Sequence, residues 1–111
     1  MIRVEILRDS RGRLISCSAE GHAGFDRRGS DIVCAAVSSA LRTVQSLLDE
    51  DLGVTLETDA PDRGVLAFHV KAFKETERCF LEHCGAFLVK SIELTAGEFP
   101  DNVELRVQTE S

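Results

Sequence analysis

The chain has 111 residues, 43% hydrophobic and 29% charged, the ordinary mix of a soluble globular protein, and its length is expected to make one domain over residues 1–111. A net charge of −6, with Arg27-Arg28 the only adjacent basic pair, argues against direct nucleic-acid binding, and the absence of Trp and Tyr against a base-stacking platform. No unbroken apolar run approaches the about 20 residues of a membrane span, and the opening MIRVEILRDS carries no apolar block, so no membrane or export signal is expected and the cytoplasm is the expected compartment.

Ile2, Val4 and Ile6 alternate with Arg3 and Glu5, the pattern of a half-buried strand. Asp9-Ser10-Arg11-Gly12 reads as a turn, and Leu14 to Ala19 as the second strand of a hairpin. Residues 20–30, EGHAGFDRRGS, are too rich in Gly for a regular element and are expected to form a mobile loop that orders on substrate. Ser30 or Asp31 is then expected to cap a helix reaching about Asp51, with Gly53 as its stop. Val33, Val37, Ala40, Leu41, Val44, Leu47 and Leu48 share its apolar face, and Arg42, Ser46 and Asp49 fall on the other. A second hairpin, Val54 to Thr58 and Val65 to Val70, turns at Ala60-Pro61-Asp62-Arg63-Gly64, with His69 pointing away from Leu66, Phe68 and Val70. A second helix is predicted over 73–96, burying Phe73, Phe80, Cys84, Phe87, Leu88 and Ser91 and stopping near Gly97. Phe99-Pro100-Asp101-Asn102 turns the chain into a last strand carrying Val103, Leu105 and Val107. The order ββαββαβ predicts an α+β two-layer sandwich, a mostly antiparallel sheet with two helices.

Chemistry concentrates at Gly21-His22-Ala23-Gly24-Phe25 and Gly29 to Ser38. A Cys in the first turn of a helix meets unpaired N–H groups and the positive end of the dipole, so Cys34 is expected to ionise readily. If the loop folds back, His22 reaches Cys34 as base and later as acid, and first-turn N–H groups hold the oxyanion of a tetrahedral intermediate. On a helical wheel with Val33 at the origin, Cys34 falls at about 100°, Ser38 at about 140° and Asp31 at about 160°, a polar strip bordering the core face. Each residue also has a bland reading: a small core thiol, a loop histidine, a helix cap, a surface hydroxyl, and glycines that mark turns. The other cysteines, Cys17, Cys79 and Cys84, make no CxxC, and disulfides are not expected in a reducing compartment. Cys79 and His83 at i, i+4 supply half a zinc site with no second half, so no metal is expected.

The stretch GHAGFDRRGSDIVCAAVSSAL, with Gly-His-Ala and then Gly-x-Asp-Ile-Val-Cys-Ala-Ala-Val-Ser, is very similar to the signature of the ribosomal-processing cysteine proteases, the Prp (YsxB-like) family of bacteria. The resemblance is sharp at residues 21–41, and the element order extends it along the chain. It implies that Cys34 and His22 are catalytic and that Gly21, Asp31 and Ser38 support the site. It also implies a homodimer, with no cofactor, that cuts a short N-terminal extension from a large-subunit ribosomal protein (protein twenty-seven) after an aromatic residue. The rival reading is a non-catalytic ribosome-associated binding module, whose acidic surface contacts a basic ribosomal protein.

Overall fold

Strand β1 (Ile2–Asp9) and strand β2 (Leu14–Glu20) form the first hairpin, pairing Val4 with Ala19 and Ile6 with Cys17. We describe the molecule from a computed structural model that covers residues 1–21, 28–59 and 65–110, with residues 28–31 as backbone only. Ile2, Val4 and Ile6 are buried while Arg3 and Glu5 are exposed, because successive strand residues face opposite sides. The turn follows the sequence expectation: Gly12 takes φ +90°, where a Cβ is disfavoured, and its N–H donates to the Asp9 carbonyl at 3.0 Å.

Strand β3 (Val54–Asp59) pairs antiparallel with β4 (Val65–Phe73), and β4 pairs antiparallel with β2. Strand β5 (Val103–Glu110) lies parallel to β1, giving the order β3-β4-β2-β1-β5 with one parallel pair. Cross-strand partners share a face, so Val4, Ala19 and Leu66 form one row and Ile6, Cys17 and Phe68 the next. These rows face the helices. The other face of the sheet carries Arg3, Glu5, Ser16, Ser18, Glu57 and His69, and His69 Nε2 lies 3.4 Å from Glu57 Oε2 there. The turn expected at residues 60–64 lies outside the described residues.

Helix α1 (Arg28–Glu50) packs on β3 and β4, and α2 (Arg78–Glu98) on β5, β1 and β2; the helices also touch each other. One sheet layer and one helix layer make the expected α+β sandwich. Val33, Val37, Ala40, Leu41, Val44 and Leu48 are buried as the 3.6-residue period predicts, but Leu47 is half exposed. The segment Ile32–Glu50 is long and apolar enough to cross a bilayer by length and composition, yet its apolar stripe is the core of this fold.

Three boundaries differ from expectation. Helix α1 begins at Arg28, so Ser30 and Asp31 lie inside it and do not cap it. Helix α2 begins at Arg78, after a short 3-10 turn (Glu75–Glu77), because Phe73 is claimed by β4 through its pairing with Val54. Its buried stripe is Leu81, Cys84, Leu88 and Ile92, while Phe87 is half exposed. The helix also runs past Gly97 to Glu98, where the Phe99 N–H donates to the Thr95 carbonyl.

A charged clamp ties the first turn to the start of α2. Asp9 Oδ1 accepts from the N–H groups of Arg11 and Arg13 at 2.9 Å each, and Asp9 Oδ2 from Arg78 at 3.2 Å. The Arg13 and Arg78 guanidinium carbons lie 4.4 and 5.2 Å from the Phe73 ring centre, a cation–π arrangement. Burial pushes the Asp9 carboxyl up, but the Arg13 and Arg11 amides, the Arg78 guanidinium and the Arg13 charge together hold it below its ordinary value. A depressed carboxyl adds stability above its unfolded pKa of about 3.9, and this is lost as pH falls through the folded value. Asp9→Ala is therefore expected to cost about 1–2 kcal/mol at neutral pH. It should also flatten the fall in melting temperature below about pH 4; thermal unfolding between pH 2.5 and 7 measures both.

Candidate active site

The end of β2 and the flank of α1 meet across a groove of about 220 Å³. Its apolar floor includes Ile2, Val37, Leu41 and Leu66, and its rim includes Glu20, Ser38 and Arg42. Cys34 is half-buried at its edge, and Gly21 lies in the opposite wall. Gly21 adopts φ +103°, and a Cβ there would run into the Met1 carbonyl, with the Ile2 Cα 3.6 Å away. Any larger residue would push the end of β2 off the start of β1. His22 follows Gly21 directly in sequence and lies outside the described residues, as does most of the loop expected to be mobile.

Cys34 differs in one respect from the sequence expectation. With α1 starting at Arg28, it stands beyond the first turn and its amide belongs to the helical ladder. The unpaired N–H groups expected to activate the thiol and hold an oxyanion belong instead to the first turn, which starts at Arg28, since the helix-end effect fades within a turn. Ser38, one turn beyond Cys34, lines the same groove and is exposed, as the polar strip predicted. Asp31 is on α1 one turn before Cys34; its side chain is outside the described residues. Sequence reasoning missed Arg42, assigning it to the far face. Its spacing of four from Ser38 and eight from Cys34 was the available signal, because i, i+4 and i+8 stay on one stripe.

The remaining thiols separate by burial. Cys17 is 1% exposed and burial pushes its pKa up to about 12; Cys84 is 5% exposed and raised to about 11 by burial, with the Asp51 charge adding to it. Cys79 is exposed. A thiol reagent at neutral pH is therefore expected to modify Cys34 and Cys79 in the folded protein, and Cys17 and Cys84 at least about a hundredfold more slowly. Peptide mapping of the alkylated protein reads this. Cys34 reacting no faster than Cys79 would count against a reactive nucleophile.

Among the described residues, no group of three or more His, Cys, Asp and Glu is placed to hold a metal ion. A wider depression of about 370 Å³ lies on the open sheet face beside Ser16, Ser18, Asp59 and His69. Its one thiol, Cys17, is turned into the core.

The α+β sandwich thus presents a partly exposed thiol, Cys34, at the edge of a groove. The family model described as cysteine protease Prp matches residues 1–104, so the chain belongs to that family and is a cysteine protease. The crystal structure of SMU.848 from Streptococcus mutans is similar at a TM-score of 0.80 and 28% identity, covering 99% of this chain and 96% of that one. Two structures of the essential ribosomal processing protease Prp from S. aureus share the fold. One, with a covalently linked product peptide, has a TM-score of 0.79 and 21% identity; the other, with a substrate peptide, has 0.78 and 20%. Each covers 97% of this chain and 100% of its own. No curated protein is similar enough to count as a match.

Proposed function

We propose that this chain is a cytoplasmic, single-domain endopeptidase that removes a short N-terminal extension from a large-subunit ribosomal protein through a Cys34–His22 dyad. The observation that carries this reading is the groove itself: Cys34 stands at one wall, and Gly21, the residue before His22, at the other. His22 takes the Cys34 proton, and the thiolate attacks the scissile carbonyl carbon to form a tetrahedral intermediate. That intermediate collapses to a thioester as His22 passes the proton to the leaving amine. Water, deprotonated by His22, then releases the acid and restores the thiol. Because Cys34 stands beyond the first turn of α1, its activation rests on His22 more than on the helix end. Ser38 supports the peptide from the groove rim, Gly21 leaves room for the chain at the end of β2, and Asp31 is a supporting residue of the site on α1.

The apolar floor, with Ile2, Leu41 and Leu66, suits an aromatic side chain next to the cut. The enzyme works as a homodimer that buries the outer face of its helices, where Leu47 and Phe87 are about half exposed over a cavity of about 250 Å³. Sedimentation as a monomer at micromolar concentration would remove that element.

Incubation of the host's large-subunit protein twenty-seven with the enzyme is expected to lower its mass by one short N-terminal peptide. His22→Ala should abolish turnover while leaving part of the single-step alkylation of Cys34, since alkylation needs no proton donor for a leaving amine. An unchanged substrate mass would overturn the proposed substrate, and unchanged turnover by His22→Ala would overturn the dyad.

A further inference from the structure

The groove at Cys34 does not end at Arg42. A second depression, of about 370 Å³, continues along the same flank of α1 and shares Arg42 and Leu66 with the first. Gln45, Ser46 and Asp49 line it. From Cys34 to Asp49 the helix rises about 22 Å, at 1.5 Å per residue. An extended peptide covers that length with about six residues.

Two side chains on this flank have unmet hydrogen-bonding capacity. Gln45 Oε1 is shielded from solvent and has no hydrogen-bond partner among the described residues. An unpaired buried amide oxygen is costly, and the broad terminal torsion of Gln lets it turn toward the groove. Arg42 is exposed, and its guanidinium makes no ion pair or hydrogen bond with another described residue. Guanidinium N–H groups and an amide are what a peptide backbone needs, donors for its carbonyls and an acceptor for its N–H. The far end is negative. Asp49, Glu50 and Asp51 close the helix, its last turn has no basic residue, and the dipole points its negative pole there. That end suits a free α-ammonium group.

We propose that the flank of α1 from Ser38 to Asp49 binds the part of the substrate upstream of the scissile bond, with Arg42 and Gln45 holding its backbone and Asp49 facing its amino terminus. This deepens the reading of Cys34 as nucleophile and rests on it. Arg42 and Gln45 become specificity-determining residues that act on substrate length. Peptides with upstream segments shorter than the track forgo these contacts, and those that reach Asp49 with a free amine gain all of them.

The test uses fluorescent peptides with two, four, six and eight residues upstream of the cut, with the amine free or acetylated. Affinity is measured on Cys34→Ser protein and kcat and KM on the unsubstituted enzyme. Affinity is expected to rise about tenfold between two and six residues and then level off, with KM falling and kcat nearly constant. Acetylation should remove part of the gain. Arg42→Ala and Gln45→Ala should flatten the length dependence, Arg42→Lys should restore some of it, and Arg106→Ala, on the far face of the sheet, should leave it unchanged. Affinity independent of upstream length, or a full length dependence in Arg42→Ala with Gln45→Ala combined, would overturn the proposal. These binding outcomes stand apart from cleavage. Peptides bound with the expected length dependence but left intact by the unsubstituted enzyme support the track and count against Cys34 as the nucleophile.

Discussion

Cys34→Ser is expected to fold as the parent does and to lose cleavage by at least about a thousandfold. Cys34 is half-buried at the groove edge, and a hydroxyl of nearly the same shape leaves α1 and its packing unchanged. Chemistry is where the two differ. A serine hydroxyl is a far weaker nucleophile at neutral pH than a thiol or thiolate, and none of the described groove residues compensates. Peptide binding should survive, since the floor and rim are untouched. Cleavage assays by mass spectrometry, beside a melting curve, separate loss of chemistry from loss of fold. A Cys34→Ser protein that cut peptide at the parent rate would move the nucleophile elsewhere, and Cys79 is the other accessible thiol.

Leu41→Ala is expected to cost about 2–5 kcal/mol of stability. Leu41 is fully buried, and it belongs to both the core and the groove floor. Removing it opens a cavity beneath the site that neighbouring side chains only partly fill. In a domain of this size the melting temperature should fall by about 10–25 °C. Where the variant remains folded, KM should rise, because the floor under the peptide is lost. Leu41→Met keeps most of the volume and should cost less than about 1.5 kcal/mol. Thermal unfolding and steady-state kinetics at low temperature read the two effects separately. A Leu41→Ala protein as stable as the parent would mean that the α1 core contacts contribute little to the fold.

Local patterns in the sequence determined most of the elements. Alternation at Ile2, Val4 and Ile6 marks β1, the α1 stripe from Val33 to Leu48 follows its 3.6-residue period, and Asp9 to Gly12 encode their own turn. The sequence also picked out Cys34, Ser38 and Gly21, which the fold brings to one groove, although they are far from equivalent in local structure. A short linear motif carries that signal because helix spacing and a glycine-dependent strand end are both local properties.

Other features depend on contacts between residues distant in the chain. Phe73 looks like the start of a helix by composition, but pairing with Val54 and the flanking Arg13 and Arg78 hold it in β4. The parallel pairing of β5 with β1 has no local signature, since a strand's alternation is the same whichever neighbour it takes. Arg42 illustrates the same limit at the site. On a wheel it sits with the solvent-facing residues, and only the approach of β2 and β4 makes that flank the wall of a groove. Periodicity tells which way a side chain points from its own helix, but only the tertiary structure decides what stands opposite it.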